Sequence, residues 1–511
     1  MFGPALTLVL ALASSTVIAV PTVDNSHKHA VASLNPAFTS LPFHFPESVY
    51  ENIPHSGVFS SSFSKKDDVK TATDFISKKL NLGASDFKVF DSFTDPSGVT
   101  HVYGAHMANG IRIANHQASA HVKSGELGIP VDSEFEHALE YVEQPDGKIV
   151  YAYKFQLRNN PVTKWVEVWC DATTGKVIQT IDFGNKASYK AIQVPRRDAN
   201  EGFSMVSNPE RAPGTDANIA AAAVNLFYIS NMMHDITYQY GFTERAGNFQ
   251  TNNFGKGGRG NDAITINVLN PSRVNNADFL TPPDGRPGVM NMYRFTYTTP
   301  NRSASFDNGV IIHEYAHGIS NRLTGGSSTG GCLSTVEARG MGEGWGDTMA
   351  LVVLAKSSDT ATTRGTIGAY STNRQVGFRS RPYTTDMRVN PLTYSDLRTR
   401  NGVHAIGEVW ASMLWEVYWN LVAKRGFSAN LHDASQSAGN VVAMKIILGG
   451  MMIQPCNPTF LSARNAIISA DASYYNGANR CEIIRAFAKR GLGSRATSTR
   501  TNDFSITSEC R

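Results

Sequence analysis

Two histidines four residues apart, with a glutamate directly after the first, restrict this chain more than any other stretch: His313-Glu314-Tyr315-Ala316-His317. On an α-helix, positions i and i+4 lie one turn apart on one face. Both imidazoles can then reach one ion at about 2.0–2.1 Å. The intervening glutamate stands beside that ion without ligating it, where it serves as a base toward a water. Val310-Ile311-Ile312 before the motif is apolar enough for a buried helix start, with Asp307 or Asn308 as N-cap.

A catalytic zinc site takes three protein ligands, so a third must lie downstream. Glu343 follows His317 by 26 residues and opens a Glu-x-x-x-Asp pattern that ends at Asp347. That spacing again fits one helix face. It makes Glu343 the third ligand and Asp347 the acceptor for the free N–H of a ligating histidine. A lone H-E-x-x-H also occurs by chance on amphipathic helices. With Glu343 and Asp347 in register, the pattern describes a zinc hydrolase site with one Zn2+ per chain.

The stretch from His313 to Asp347 resembles the fungalysin family of secreted fungal zinc metallopeptidases, relatives of thermolysin. Other segments carry the same resemblance: Ala223-Val-Asn-Leu-Phe-Tyr to His234-Asp235, Asn275 to Gly285, Val403-His404-Ala-Ile-Gly-Glu-Val-Trp410 and Gln454-Pro-Cys-Asn-Pro-Thr-Phe460. It covers nearly all of residues 187–511 and is weaker before them.

At 511 residues the chain exceeds one ordinary core, so two or three domains are expected. Its charge is divided unevenly. Residues 1–186 hold 13 Lys and 2 Arg against 19 acidic residues, a net −4, and residues 187–511 hold 6 Lys and 26 Arg against 24, a net +8. The switch from lysine to arginine near 186 marks a boundary, and opposite signs favour association of the two pieces. The overall +4 is too small to suggest a nucleic-acid partner.

Residues 1–19 form an apolar run ending in Val17-Ile18-Ala19 before Pro21, which reads as a secretory signal peptide despite the missing Lys or Arg at its start. The run is short for a membrane span and no other candidate follows, so a secreted, extracellular protein without membrane partners is expected. Four of the five cysteines, Cys332, Cys456, Cys481 and Cys510, fall in the second piece. An even count outside the cell suggests two disulfides. Cys170 stands alone in the first piece and reads as a thiol packed like a small hydrophobe.

Residues 20–186 contain alternating runs, Lys148–Lys154 and Trp165–Cys170, and a turn at Asp171–Gly175 that leads into Lys176–Ile181 as a hairpin. Helical spacing appears at Val69–Ile76. A long helix is expected from Asn218 to Tyr240, carrying His234 and Asp235 as a satisfied polar pair. Asn252–Gly260 reads as a loop, Asp262–Val268 as a strand, and Ser357–Asn401 as mainly loop. Val403–Lys424 is a helix with Val403, Ile406, Trp410, Met413, Val417 and Leu421 as its apolar stripe. Asn301-Arg-Ser303 is the one N-x-S/T sequon with a permitted middle residue.

The resemblance implies the rest. The fold class is α+β, a thermolysin-like peptidase with an α+β lobe (about 187–325) and a mainly helical lobe (326–511), preceded by an α+β propeptide. The propeptide spans residues 20–186, helps folding and covers the cleft, with the junction near Lys186. His404 stabilises the oxyanion. Asn291, on a sheet-edge strand before the zinc helix, meets the substrate backbone, and Arg379 binds a substrate carbonyl. Cys456 pairs with Cys481, which leaves Cys332 for Cys510. The implied protein is a monomeric zymogen whose partners are protein and peptide substrates and its own propeptide. Two alternatives stand beside this: an aminopeptidase-type zinc peptidase, and an inactive secreted binding protein that retains the fold.

Overall fold

The computed structural model describes residues 65–182 apart from 84, 95–97, 124–137, 145, 147, 159–164 and 175, then 184–188 and 212–511. Residues 1–19, expected as a signal peptide, and the start of the 20–186 piece lie outside the described residues.

Helix α1 (Lys65–Lys79) packs on strands β1 (Phe87–Thr94), β2 (Val99–Ala108) and β3 (Ile111–Lys123), an antiparallel meander. Strands β4 (Ala138–Glu143), β5 (Ile149–Arg158), β6 (Trp165–Asp171) and β7 (Val177–Asp182) extend it into seven strands in sequence order. Only the β3–β4 join is parallel. The predicted hairpin is β6–β7. Its turn is held by the Asp171 carboxylate, which accepts the N–H groups of Thr173 and Thr174. Cys170 is a free, buried thiol in β6, and burial pushes its pKa up to about 11.

Lys186 lies in β8 (Gly184–Ser188), where the chain leaves the first sheet and joins a second. After α2 (Asp216–Gln239), that second sheet gains β9 (Thr265–Asn267), β10 (Asn276–Leu280) and β11 (Val289–Met292) in the order β8-β10-β11-β9. The expected strand at 262–268 is only three residues long. His234 pairs with Asp235 at 3.0 Å and with Gln250 at 3.0 Å, a satisfied surface network.

The strand that carries Asn291 is not a sheet edge, and this corrects the expectation. Strand β10 pairs on one side of β11 and β9 in parallel on the other. Asn291 is fully buried; its amide donates to Asp278 at 2.7 Å and its oxygen accepts from Asn267 and Asn270. That side chain ties three segments together and does not face a cleft. Strands β12 (Arg294–Phe295) and β13 (Arg302–Ser303) form a separate pair. Asn301 is half-buried just before β13.

From there on the chain is mainly helical: α3 (Asn308–Leu323), α4 (Val336–Leu354), the single turn α5 (Ala369–Thr372), α6 (Val403–Arg425), α7 (Gly439–Ile453), α8 (Phe460–Tyr475) and α9 (Arg480–Lys489). The apolar stripe of α6 is buried from Ile406 to Leu421, and Trp410 packs edge-on against Trp345 of α4 with ring centres 5.2 Å apart. Among the described residues no helix is long and apolar enough to cross a membrane.

The disulfide pairing also departs from expectation. Cys332 is bonded to Cys456 and Cys481 to Cys510, with Cα separations of 4.4 and 5.0 Å. The cause is where the helices end. Cys332 precedes α4 and Cys456 follows α7, and these ends meet: Asn457 N–H donates to the Cys332 carbonyl, while Asn457 Oδ1 accepts from Ser334 and Thr335. Sequence proximity of Cys456 and Cys481 is overridden because α8 carries the chain away between them.

The first sheet leans on the part of the chain that follows it. The Tyr103 hydroxyl donates to the Met452 carbonyl at 2.9 Å, Ser327 Oγ reaches Asp91 at 3.4 Å, and Ile181 shares a small core with Leu280 and Val289.

Candidate active site

Helix α3 begins where Asp307 caps it by position only; the Asp307 carboxylate accepts from the backbone and hydroxyl of Ser371 and from Tyr370 N–H. Val310, Ile311 and Ile312 are buried as expected, which seats the helix deep between the second sheet and α4. His313 and His317 are buried on one face with their rings perpendicular and 4.6 Å apart. Glu343, on the crossing helix α4, is also buried, its Oε2 3.3 Å from His313 Nε2 and 3.9 Å from His317 Nε2. One ligand atom from each of the three lies within 4.8 Å of the others.

That approach depends on glycine. A Cβ on Gly346 would stand 2.7 Å from His313 Nδ1, and one on Gly407 of α6 would stand 2.6 Å from the Glu343 Cβ. Gly340 and Gly344 share the face of α4 that meets α6, where an added Cβ would stand 2.4 Å from Ile406 and 2.8 Å from Trp410, while Gly346 faces α3.

Asp347 Oδ1 makes an ion-pair contact with His313 Nδ1 at 2.8 Å, and the carboxylate accepts from Arg379 Nε and Nη2 at 2.6 and 2.7 Å and from the Tyr383 hydroxyl. Burial alone would raise this carboxyl, but Arg379 and His313 hold it below the usual carboxylate range. Burial would likewise depress His313, yet Asp347 and Glu343 outweigh it and push the imidazole up to about 9. His317, with the same burial and a weaker anionic environment, falls to about 3. Glu343 is held low against its burial by the surrounding histidines, His404 foremost.

Arg379 was expected to reach a substrate carbonyl. It is 4% exposed, with two of its N–H groups on Asp347 and Nη2 at 3.9 Å from Glu343 Oε2. Its loop is tied to α6 by Glu408, which accepts from Ser380 N–H, Ser380 Oγ and Arg400. His404, at the start of α6, brings Nε2 to 3.3 Å from Glu343 and remains part-exposed, so it borders the cleft. Tyr383, Gly346, Gly407 and Glu408 were not foreseen as parts of the site.

The residues fit a metal ion. Both carboxylate oxygens of Glu314 and both ring nitrogens of His317 are buried without a hydrogen-bond partner among the described residues. Orphaned buried groups of this kind are costly, and a cation resolves the cost. Burial raises the Glu314 pKa well above its ordinary value. Two imidazoles and a carboxylate form the donor set of a catalytic zinc site.

Comparison with known proteins agrees. A family model described as fungalysin metallopeptidase (M36) matches residues 151–496, and one described as fungalysin/thermolysin propeptide motif matches residues 85–127, which cover β1 to β3. An extracellular metalloproteinase mep of Aspergillus niger is 49% identical over 309 residues, 60% of this chain and 49% of that protein. Extracellular metalloproteinase MEP of Pyricularia oryzae is 50% identical over 304 residues, 58% and 48% of the two chains. Extracellular metalloproteinase 2 of Trichophyton tonsurans is 48% identical over 295 residues, 57% and 47%. The chain thus spans about half the length of the curated relatives it matches. Since the family model covers more than half of this chain, including both helices that carry the histidines and Glu343, the chain belongs to the fungalysin metallopeptidase family.

Proposed function

We propose that this chain is a secreted, extracellular zinc metalloendopeptidase made as a zymogen, acting on peptide bonds of extracellular proteins. The observation that carries the reading is the convergence of His313, His317 and Glu343 around one point beside the buried, unpartnered Glu314 carboxylate. The first three would hold one Zn2+. When bound, the ion supplies Lewis acidity toward the scissile carbonyl and lowers the pKa of water beside it.

The chain's own groups do the rest. Glu314 takes a proton from the attacking water and returns it to the leaving amine; burial raises its pKa above the ordinary carboxylate value. His404 donates to the oxyanion from the edge of the cleft. Asp347 fixes the His313 tautomer. Arg379 braces Asp347, and Asn291 serves the fold. Residues 20–186 act as the propeptide, with the junction near Lys186; the contacts of Tyr103, Asp91 and Ile181 with the peptidase support this.

The test is Glu314→Gln. The amide leaves the ligands untouched and cannot accept a proton, so bound zinc should stay near one per chain while casein cleavage falls by about 10²–10⁴. Full cleavage by a zinc-loaded Gln variant, or cleavage by the parent that survives complete removal of metal by chelator, would reject the reading.

A further inference from the structure

We propose that Tyr383 is a positioning residue for the metal centre, acting through Asp347 on the orientation of His313. The proposal rests on the metal reading above.

A carboxylate has about four acceptor sites. On Asp347 the donors are Arg379 Nε on Oδ2 at 2.6 Å, Arg379 Nη2 on Oδ1 at 2.7 Å and the Tyr383 hydroxyl on Oδ2, and His313 Nδ1 makes an ion-pair contact with Oδ1 at 2.8 Å. Tyr383 and His313 therefore draw on opposite oxygens. The phenol opposes any rotation of the carboxylate toward the histidine, and Oδ1 keeps one direction relative to the ring. That direction decides where His313 Nε2 points, and a ligand held in one orientation binds metal more tightly than one that must be ordered.

Tyr383 is 1% exposed, and a buried hydroxyl is unfavourable unless it is bonded. Phenylalanine would satisfy the packing, so the oxygen is there for Asp347. The backbone does not depend on it: Tyr383 and Gly365 exchange two hydrogen bonds of 2.8 Å. The ring comes from a loop 36 residues beyond Asp347, so no helix spacing links the two.

The experiment uses the full chain with Tyr383→Phe, Tyr383→His and Asp347→Asn. Transfer of Zn2+ to a fluorescent chelator gives the dissociation constant, and cleavage of a quenched peptide, after processing of the chain at the junction near Lys186, gives kcat and KM. Tyr383→Phe should weaken zinc binding about tenfold, the low end for a group outside the ligand set, and lower kcat at unchanged KM. Tyr383→His, which keeps a ring donor, should recover part of the affinity. In an Asp347→Asn background Tyr383→Phe should add nothing, since the two act as one unit. Unchanged zinc affinity in the Phe variant overturns the proposal, and so does an equal loss in the Asn background or a His variant no better than Phe. A lower melting temperature of the metal-free protein with zinc affinity intact would make Tyr383 a packing residue only. A parent chain that binds no Zn2+ overturns the metal reading and this proposal with it; a zinc-binding parent whose Phe variant is unaffected overturns this proposal alone.

Discussion

His313 Nδ1 and Asp347 Oδ1 are 2.8 Å apart, and this contact turns the other ring nitrogen, Nε2, toward Glu343. With Asp347 ionised, Nδ1 carries the proton, and Nε2 faces Glu343 at 3.3 Å. Asp347→Ala removes the acceptor and also strands a buried guanidinium. We expect zinc affinity to fall about 10–100-fold and stability to drop by about 3–5 kcal/mol from the unpaired Arg379. Chelator competition and denaturant melts of the metal-free protein check the two effects separately.

Gly346→Ala tests the helix crossing. The added methyl would stand 2.7 Å from His313 Nδ1, so either α4 or the imidazole must shift. The expected outcome is a protein with little or no bound zinc at ordinary micromolar supply, although alanine is the better helix former by about 1 kcal/mol. Metal analysis of the purified variant decides it; normal zinc content would mean the crossing has slack.

The disulfides should contribute unequally. Closing 124 residues between Cys332 and Cys456 restricts the unfolded chain more than closing 29 between Cys481 and Cys510. The chain-entropy relation gives roughly 5 and roughly 4 kcal/mol. Replacing both partners of each pair by alanine, followed by thermal melts, should rank the first pair as the more costly loss. Peptide mapping of the non-reduced protein should recover 332 with 456 and 481 with 510.

Contact between the first sheet and the peptidase should depend on pH. Asp91 is half-buried against Ser327, and burial pushes its carboxyl up to about 6, although bonds from Ser327 and Ser92 and the charge of Arg259 pull it back. Asp284 faces it from the peptidase side with its pKa at about 7, sharing Arg322 with Asp262. A free Asp titrates near 3.9. Docking therefore favours the protonated form: the stabilisation is complete below about pH 4 and is lost as pH rises through about 6. Hydrogen exchange of residues 87–94 and 324–333 in full-length Glu314→Gln, corrected for intrinsic rates, should show protection falling between pH 5 and 7.5. Asp91→Asn should remove the part of that fall centred near pH 6 and leave the part near pH 7 that belongs to Asp284; an unchanged pH profile in the Asn variant would count against the idea.

Much of the site was legible in the sequence because it is built on helices. His313, His317, Glu343 and Asp347 are each fixed by spacing within one turn, and an α-helix turns a count of residues into a direction. The α6 stripe and the β6–β7 hairpin were readable for the same reason, a period of 3.6 or of 2. What failed were statements about which segments meet. The expected edge strand of Asn291 is interior because β9, with a parallel register, closes its open side. The cysteines pair across the ends of α4 and α7 instead of along the chain. Arg379 and Tyr383 converge on Asp347 from a loop with no period to read, held there by Glu408 of α6. Local periodicity specifies the face on which a ligand sits, but the partners of that ligand come from distant segments brought together by burial. Sequence alone therefore determined the three residues that converge, His313, His317 and Glu343, and tertiary packing decided what surrounds and orients them.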